Sequence, residues 1–219
     1  MPVYNERTTI DEIVRRVMAV AVPLQLIVVD DGSTDGTWER LVALQRELGF
    51  TLVRQERQRG KGAAVRRGFE AVTGDLLIIQ DADLEYAPEE YPRLLEPIVR
   101  GHSDVVYGSR LHGNRGGFLI ANYVANRLFT LLTNVLYGAS LTDMATCYKM
   151  MRTDVMRSLA LSSDTFDLDF EITAKLLRGR ARIAEVPISY KGRSYREGKK
   201  IGWRDGITGI WMLLKHRVK

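Results

Sequence analysis

Apolar and polar residues alternate in blocks along the first half of the chain, and these blocks predict strands and helices in turn. Residues 24–29 (LQLIVV) form a continuous apolar run, whereas residues 38–48 (WERLVALQREL) space their leucines as a helix does. Further strands are predicted at 50–53, 75–80 and 104–109, and further helices at 60–72 and 88–99. Strands that are apolar on both faces and separated by helices predict an α/β fold, with a mostly parallel central sheet covered by helices on both faces.

The second half of the chain is less regular and ends in a basic segment. Helices are predicted at 121–138 and 167–180, and a strand at 182–190, in which Pro187 favours an edge position. A basic loop punctuated by glycine and a last amphipathic helix follow this strand. We therefore predict one domain over residues 1–192 and an extension over residues 193–219.

The predicted first strand is short, because the polar loop YNE follows only Met1, Pro2 and Val3. We expect either that the sheet begins with a stub or that the chain is shortened relative to its relatives.

Bulk composition limits the class of protein. The 219 residues include 45% hydrophobic residues and a single cysteine, Cys147, and the net charge is +5. This composition excludes a disordered chain and a disulfide framework, and no apolar run approaches the ~20 residues of a membrane-spanning helix. We expect a cytoplasmic protein, or one that is peripheral on the cytoplasmic face of a membrane. The positive charge favours an anionic partner, which leaves phosphorylated small molecules, acidic lipid and nucleic acid open.

Polar residues follow several predicted strands at the point where each strand ends. Ligands of parallel sheets bind where these carboxyl ends meet. The residues in question are Asp30 and Asp31, Asp81 and Asp83, and Ser109 and Arg110. We therefore expect the site at this edge of the sheet.

Asp81 and Asp83 flank one alanine, so in an extended chain their carboxylates point to the same side. Two carboxylates so near each other repel unless a cation lies between them, and Mg²⁺ or Mn²⁺ accepts such oxygen ligands. Glu85 is a candidate third ligand. The alternative is a solvated acidic turn that caps the helix beginning near Pro88.

The stretch VVDDGSTDGT also allows two interpretations. Ser33, Thr34 and Asp35 are good helix caps, so the stretch predicts a turn before a helix. Acids at a strand end also accept hydrogen bonds from ribose hydroxyls and base edges. The sequence lacks a P-loop, and no G-x-G-x-x-G follows a strand, which disfavours ATPases and dinucleotide dehydrogenases.

A series of blocks follows in order along the chain: MPVYNE, VVDDGSTDGT, GKGAAVRRG, QDADLEY, GSR, TDMATCYKMMR, FDLDFEITAKL and VPISYKGRSYREGKKIGWRDG. Together these blocks resemble the family 2 glycosyltransferases with a GT-A fold, and within them the dolichyl-phosphate or polyprenyl-phosphate mannose and glucose synthases. The resemblance implies that residues 1–192 are a GT-A catalytic domain. It further implies a metal-dependent, inverting transfer of mannose or glucose from a nucleotide sugar, for example GDP-mannose, to a polyprenyl or dolichyl phosphate.

The resemblance also assigns roles to residues. The metal ligands are Asp81, Asp83 and Glu85, although relatives often have Gln at the third position. The implied catalytic residues are Asp83, Arg110 and Arg193, and the acceptor-phosphate contacts are Arg110, Arg127 and Thr130. The implied nucleotide-sugar contacts are Pro2, Tyr4, Glu6, Val29, Asp31, Asp81, Ala82, Asp83, Arg110, Arg193 and Lys199.

Other functions stay open at this point. One is a family 2 transferase with a polysaccharide, a protein or another soluble acceptor, and a second is a nucleotidyltransferase. A third is a non-catalytic nucleic-acid-binding module, but the basic residues concentrate after strands and in one late loop, so we expect no nucleic-acid partner. A fold that has lost activity is the fourth.

The last helix places Trp203, Ile207, Ile210, Trp211 and Leu214 on one face, with basic residues at its end. Such a face predicts either core packing or a helix at a bilayer surface. A membrane surface or a small membrane subunit is therefore an expected partner.

Overall fold

The computed structural model describes residues 1–111, 120–193 and 203–218. Its first sheet has three parallel strands in the order β1-β2-β3. These strands are β1 (Pro2–Val3), β2 (Ile27–Asp30) and β3 (Thr51–Arg54). The pairing of Val3 with Asp30 brings the polar loop after β1 beside the end of β2.

The second sheet has four strands in the order β4-β6-β5-β7. They are β4 (Leu76–Ile78), β5 (Val105–Ser109), β6 (Lys149–Arg152) and β7 (Ile183–Pro187). β6 runs antiparallel to β4 and β5, and β7 runs parallel to β5. The predicted α/β fold is confirmed, and so is the edge position of the strand that contains Pro187. The structure adds that the strands form two separate ladders.

Helices pack on both sheets. They are α1 (Ile10–Met18), α2 (Thr37–Leu48), α3 (Lys61–Phe69), α4 (Tyr91–Val99) after a 3₁₀ turn (Pro88–Glu90), α5 (Ile120–Tyr137), α6 (Thr153–Ser158), α7 (Leu168–Arg178) and α8 (Trp203–Val218). α1 shows why these segments are helical: its buried aliphatic residues recur three and four positions apart. Acids lie in its first turn and arginines in its last, which complements the helix dipole.

The helices contact particular strands and one another. α3 packs against β1 and β2, α4 packs against β5, and α8 packs against α7 and α5. Gly209 of α8 lies against the ring of Phe170, where a Cβ atom has no room. None of the helices in these described ranges has the length and apolar character needed to cross a bilayer. The division of the chain at residue 193 stays a prediction.

Candidate active site

Asp31 ties the end of β2 to the start of α3. Its carboxylate accepts hydrogen bonds from the backbone N–H groups of Arg59 and Gly60, both at 2.8 Å. Gly60 has a φ of 104°, and a Cβ atom there would overlap the carbonyl oxygen of Asp164, so the position requires glycine. Burial raises the pKa of Asp31, and the two N–H groups act against that rise. Asp31 therefore fixes the loop that leads into α3.

Glu6 lies buried in the loop after β1. Its backbone N–H donates to the hydroxyl of Thr37 at 2.9 Å, and the N–H of Asn5 donates to the hydroxyl of Ser33 at 2.9 Å. These bonds hold the loop against the start of α2. The Glu6 carboxylate lies 3.1 Å from a guanidinium nitrogen of Arg193, which places it among the acids that follow β4.

Each of the three acids after β4 has partners within the protein. Asp81 lies 2.8 Å from the amine of Lys61, and Asp83 lies 3.0 Å from Arg193. Glu85 accepts hydrogen bonds from the Tyr190 hydroxyl at 2.7 Å and from the backbone N–H of Arg193 at 2.8 Å. The predicted cluster of acids is therefore present, but protein cations and donors already contact each member.

The surroundings separate the pKa values of Asp81 and Asp83. Burial acts to raise the pKa of Asp81, but the charge and hydrogen bond of Lys61 outweigh burial and lower it. Burial, followed by the charges of Asp81 and Glu85, raises the pKa of Asp83 to about 7 against the charge of Arg193. Asp83 is therefore the acid whose negative charge is least compensated by its surroundings.

Arg193 joins the two halves of the site. Its guanidinium contacts Glu6, which follows β1, and Asp83, which follows β4. Its backbone N–H reaches Glu85, as described above. One arginine thus bridges residues that follow a strand of the first sheet and residues that follow a strand of the second sheet.

The donor set fits a divalent cation in part. Among the described residues, no three His, Cys, Asp or Glu side chains form a group arranged to hold a metal. Asp81 and Asp83 nevertheless offer hard oxygen ligands, and their mutual repulsion is what a cation relieves. Mg²⁺ is commonly held by one or two carboxylates, with substrate phosphates and water supplying the other ligands. The residues present therefore fit that kind of site, and Glu85 as a third ligand stays a prediction.

Arg110 is buried, and Asp143 binds its guanidinium. Its Nε and one terminal nitrogen donate to the two carboxylate oxygens of Asp143 at 2.7 and 2.8 Å, and its backbone N–H donates at 3.0 Å. The guanidinium also lies over the ring of Tyr190, 5.2 Å from its centre. One edge of the guanidinium therefore binds Asp143, and one face lies over Tyr190. A contact of Arg110 with donor or acceptor phosphate stays a prediction.

Sequence reasoning missed a row of charges beside Asp81, of which Lys149 is buried and the others are partly buried. Lys61 lies 2.8 Å from Asp81 and 3.9 Å from Asp169, and Lys149 lies 2.8 Å from Asp169. Lys149 also donates to the carbonyl of Thr146. Burial acts to lower the pKa of Lys61, but Asp81 and other nearby negative charges raise it well above its usual value. The sequence signals for this row were Lys61, in the motif GKG, and Asp169, the second acid of the motif FDLDFE.

The remaining predicted contacts lie in different surroundings. Pro2 pairs with Val29 in the β1–β2 ladder, and the Val29 side chain packs with Ala64 of α3. Ala82 is buried and Tyr4 is partly exposed. These positions line the strand ends, and their contact with a nucleotide stays a prediction.

The predicted acceptor contacts on α5 differ in exposure. Thr130 is buried, and its hydroxyl accepts a hydrogen bond from the backbone N–H of Met144 at 3.2 Å. Arg127 is exposed. Lys199 lies outside the described residues.

Comparison with known proteins agrees with this architecture. The family model described as "Glycosyl transferase family 2" matches residues 1–159. The chain is 30% identical over 229 residues to the dolichol-phosphate mannosyltransferase of Pyrococcus furiosus, an alignment that covers 98% of this chain and 62% of that protein. It is 32% identical over 213 residues to the low-salt glycan biosynthesis hexosyltransferase Agl6 of Haloferax volcanii, covering 93% of this chain and 50% of that protein. The chain thus spans about half to three fifths of the length of these relatives.

A solved structure shows the same fold. Glucosyl-3-phosphoglycerate synthase from Mycobacterium tuberculosis, in complex with Mn²⁺, UDP-glucose and phosphoglyceric acid, superposes with a TM-score of 0.74 at 23% identity. The match covers 99% of this chain and 78% of that one. The predicted GT-A fold is confirmed, and the chain belongs to glycosyl transferase family 2.

Proposed function

We propose that this protein transfers a hexose from a nucleotide sugar to a polyprenyl or dolichyl phosphate, with inversion at the sugar carbon and with Mg²⁺ or Mn²⁺ bound at Asp81 and Asp83. The observation that supports this function best is the cluster in which Arg193 contacts Glu6 and Asp83 at the ends of β1 and β4. This cluster brings together acids that suit a metal ion and an arginine that suits a diphosphate.

The residue types suit this chemistry. A lipid phosphate is anionic at neutral pH, so its oxygen attacks the sugar carbon without a strong base while the bond to the leaving diphosphate breaks. None of the residues that the described chain brings to the site is a histidine. The bound cation supplies positive charge against the leaving diphosphate. Arg193 contributes a second positive charge when the diphosphate replaces Glu6 and Asp83 as its partner.

An exposed apolar surface on α5 and α8 supports a lipid acceptor. Eight side chains that are 41–88% exposed recur at the same spacing of four, three and four residues on both helices: Val124, Leu128, Leu131 and Val135, and Ile207, Trp211, Leu214 and Val218. α5 and α8 pack against each other. The face predicted for the last helix is therefore exposed at Ile207, Trp211 and Leu214. α8 packs on the core through two other residues, Met212 and Leu213, which are buried.

Basic residues complete this surface. Lys215 and Arg217 lie in the last turn of α8, and Arg127 is exposed on α5. Aliphatic residues, an exposed tryptophan and flanking cations are the features of helices that lie at an anionic bilayer surface. We propose that the α5–α8 surface rests on the membrane that holds the acceptor.

The transfer test uses the full chain with Mn²⁺, vesicles containing polyprenyl phosphate, and either GDP-mannose or UDP-glucose. We expect a glycosylated lipid phosphate as product from one of the donors. Asp83→Asn is expected to lower the rate by about 100-fold or more, because it removes a metal ligand near the developing charge. Asp75→Asn, an exposed acid just before β4, is the control and should keep the rate.

Mn²⁺ binding in the presence of the nucleoside diphosphate, measured by calorimetry, should weaken in Asp83→Asn as well. Turnover within twofold of the unmodified protein in that variant contradicts the metal assignment. A product formed only with a soluble phosphorylated acceptor contradicts the lipid assignment.

Vesicle flotation tests the membrane surface. Leu131→Ser combined with Trp211→Ser should abolish flotation with anionic vesicles, because both side chains are exposed on the α5–α8 surface. Val99→Ser is the matched control, since Val99 is 75% exposed and belongs to α4, which is not part of the α5–α8 surface. Equal flotation of both variants contradicts the assignment.

A further inference from the structure

The segment after β7 is bonded to the loop that follows β4. The backbone N–H of Ile188 still donates to the carbonyl of Ser109 at 3.1 Å, as a continuation of the β5–β7 pairing. From Ser189 onward the bonds go to acids. The N–H and the hydroxyl of Ser189 both donate to the carboxylate of Glu90, each at 3.0 Å. The segment therefore leaves the second sheet and runs along the loop after β4.

Glu85 of that loop accepts three hydrogen bonds from the same segment. Its carboxylate accepts from the hydroxyl of Tyr190 at 2.7 Å and from the backbone N–H of Arg193 at 2.8 Å. Its backbone carbonyl accepts from the N–H of Lys191 at 3.0 Å. The Glu85 side chain is 12% exposed, and Tyr190 is 6% exposed. One acid thus holds three of the four residues from Tyr190 to Arg193.

The partners of Glu85 differ in kind from those of Asp81 and Asp83. One oxygen of Glu85 accepts the hydroxyl of a buried ring, and the other accepts the main chain of Arg193. A metal ion that drew this carboxylate away would leave the Tyr190 hydroxyl without that partner in a buried position, which is unfavourable. Asp81 and Asp83 instead pair with the ends of long cationic side chains, which can turn away when a metal ion binds.

We propose that Glu85 is a positioning residue rather than a metal ligand, and that it anchors the backbone of residues 190–193 so that the Arg193 guanidinium reaches the leaving diphosphate. This inference rests on the proposed function, in which Arg193 exchanges two carboxylates for the diphosphate. Because the backbone N–H of Arg193 stays on Glu85, the exchange needs only rotation of the arginine side chain.

Charge and anchoring predict opposite effects for the loss of Glu85. A Glu85 oxygen lies 4.0 Å from the Nε of Arg193. Glu85→Gln therefore removes a negative charge close to the bound diphosphate, and charge alone predicts tighter binding of that anion. The anchor predicts weaker binding, because glutamine offers one acceptor oxygen where the two donors now use one each. The glutamine variant thus separates electrostatics from positioning.

Calorimetry with Mn²⁺ and GDP or UDP measures the anchor. Glu85→Gln should weaken the affinity of the diphosphate by about tenfold, and Tyr190→Phe, which removes only the hydroxyl, should weaken it too. In an Arg193→Ala background, Glu85→Gln should have no further effect, because the anchor acts through Arg193. Glu90→Gln is the matched control: it loosens Ser189 in the same segment and should leave the affinity unchanged.

Amide exchange in the chain without metal or donor is the second readout. Exchange of the Arg193 amide should become faster by about tenfold in Glu85→Gln, because its acceptor is lost. In Glu90→Gln the faster exchange should be confined to Ser189. The affinity of Mn²⁺ at saturating diphosphate should not fall in Glu85→Gln, because the metal ligands are Asp81 and Asp83.

Three results overturn the proposal. The first is a diphosphate affinity in Glu85→Gln that equals or exceeds that of the unmodified chain. The second is a loss of affinity that persists in the Arg193→Ala background or appears as weaker Mn²⁺ binding, which is the behaviour of a metal ligand. The third is unchanged exchange of the Arg193 amide. If the unmodified chain binds neither GDP nor UDP, the donor assignment of the proposed function fails, and amide exchange alone decides whether Glu85 is an anchor.

Discussion

The buried pair of Arg110 and Asp143 allows a quantitative prediction. Asp143 accepts three hydrogen bonds from Arg110, and the exposed fractions of the two side chains are 0% for Asp143 and 7% for Arg110. Asp143→Asn removes the negative charge and leaves the guanidinium buried without its counter-ion. Breaking a buried pair in this way costs about 3–5 kcal/mol. At about 2–4 °C per kcal/mol for a chain of this size, Tm should fall by about 6–20 °C.

Urea denaturation measures the free energy of unfolding, and the slope m should stay constant while the midpoint falls. The control is Asp104→Asn. Asp104 also forms a two-pronged pair, with Arg182 at 2.8 and 2.9 Å, but the side chains are 23% and 58% exposed. This exposed pair should cost about 1 kcal/mol or less, because solvent screens it.

The double variant Arg110→Met with Asp143→Leu separates charge from shape. Replacing both partners with apolar residues should restore most of the lost stability, since no unpaired charge remains. The reasoning is refuted if Asp143→Asn loses no more stability than Asp104→Asn, or if the double variant is as unstable as the single one.

Further expectations follow from other parts of the structure. Gly62→Ala should lower the free energy of unfolding by about 1–3 kcal/mol, because the new Cβ overlaps the carbonyl of Ser163; Gly74→Ala, where there is room, should change it by about 0.5 kcal/mol or less in the same urea assay. Glu171 is buried and desolvated, but Lys175 and the N–H groups of residues 162 and 163 lower its pKa to about 2. Its stabilising effect is therefore complete above pH 4.5 and is lost as the pH falls toward 2, so Glu171→Gln and the unmodified chain should converge in stability when titrated downward. Burial lowers the pKa of the Met1 amino group from its usual value of 8 to about 5 in the folded chain, so the free energy of unfolding, measured by urea denaturation, should rise between pH 5 and pH 8.

The first half of the fold was predictable because local pattern and tertiary structure agree there. The apolar run at 24–29 overlaps β2 at residues 27–29, and the leucine spacing at 38–48 lies within α2. Asp81 and Asp83 were predicted as site residues because they follow an apolar strand, and the structure places both shortly after the partly buried β4. That inference needs only the rule that carboxyl ends of strands meet.

The second half depends on contacts that no local pattern encodes. β6 begins with Lys149, which is fully buried only because Asp169 lies beside it. A lysine at a strand start does not indicate a central strand, so β6 was missed. Arg110 and Asp143 lie 33 residues apart, and their pairing depends on the way β5 is arranged in the second sheet. The sequence predicted Arg110 as a site residue but did not predict its pairing with Asp143.

The row of charges beneath the site has a consequence for how related sequences vary. Asp81, Lys61, Asp169 and Lys149 alternate in sign, so the four side chains together are neutral when all are ionised. Loss of any one of them leaves an uncompensated charge in a partly buried environment. Substitutions in this row are therefore expected to arise in pairs: a relative with an uncharged residue at the position of Asp81 should also have one at the position of Lys61.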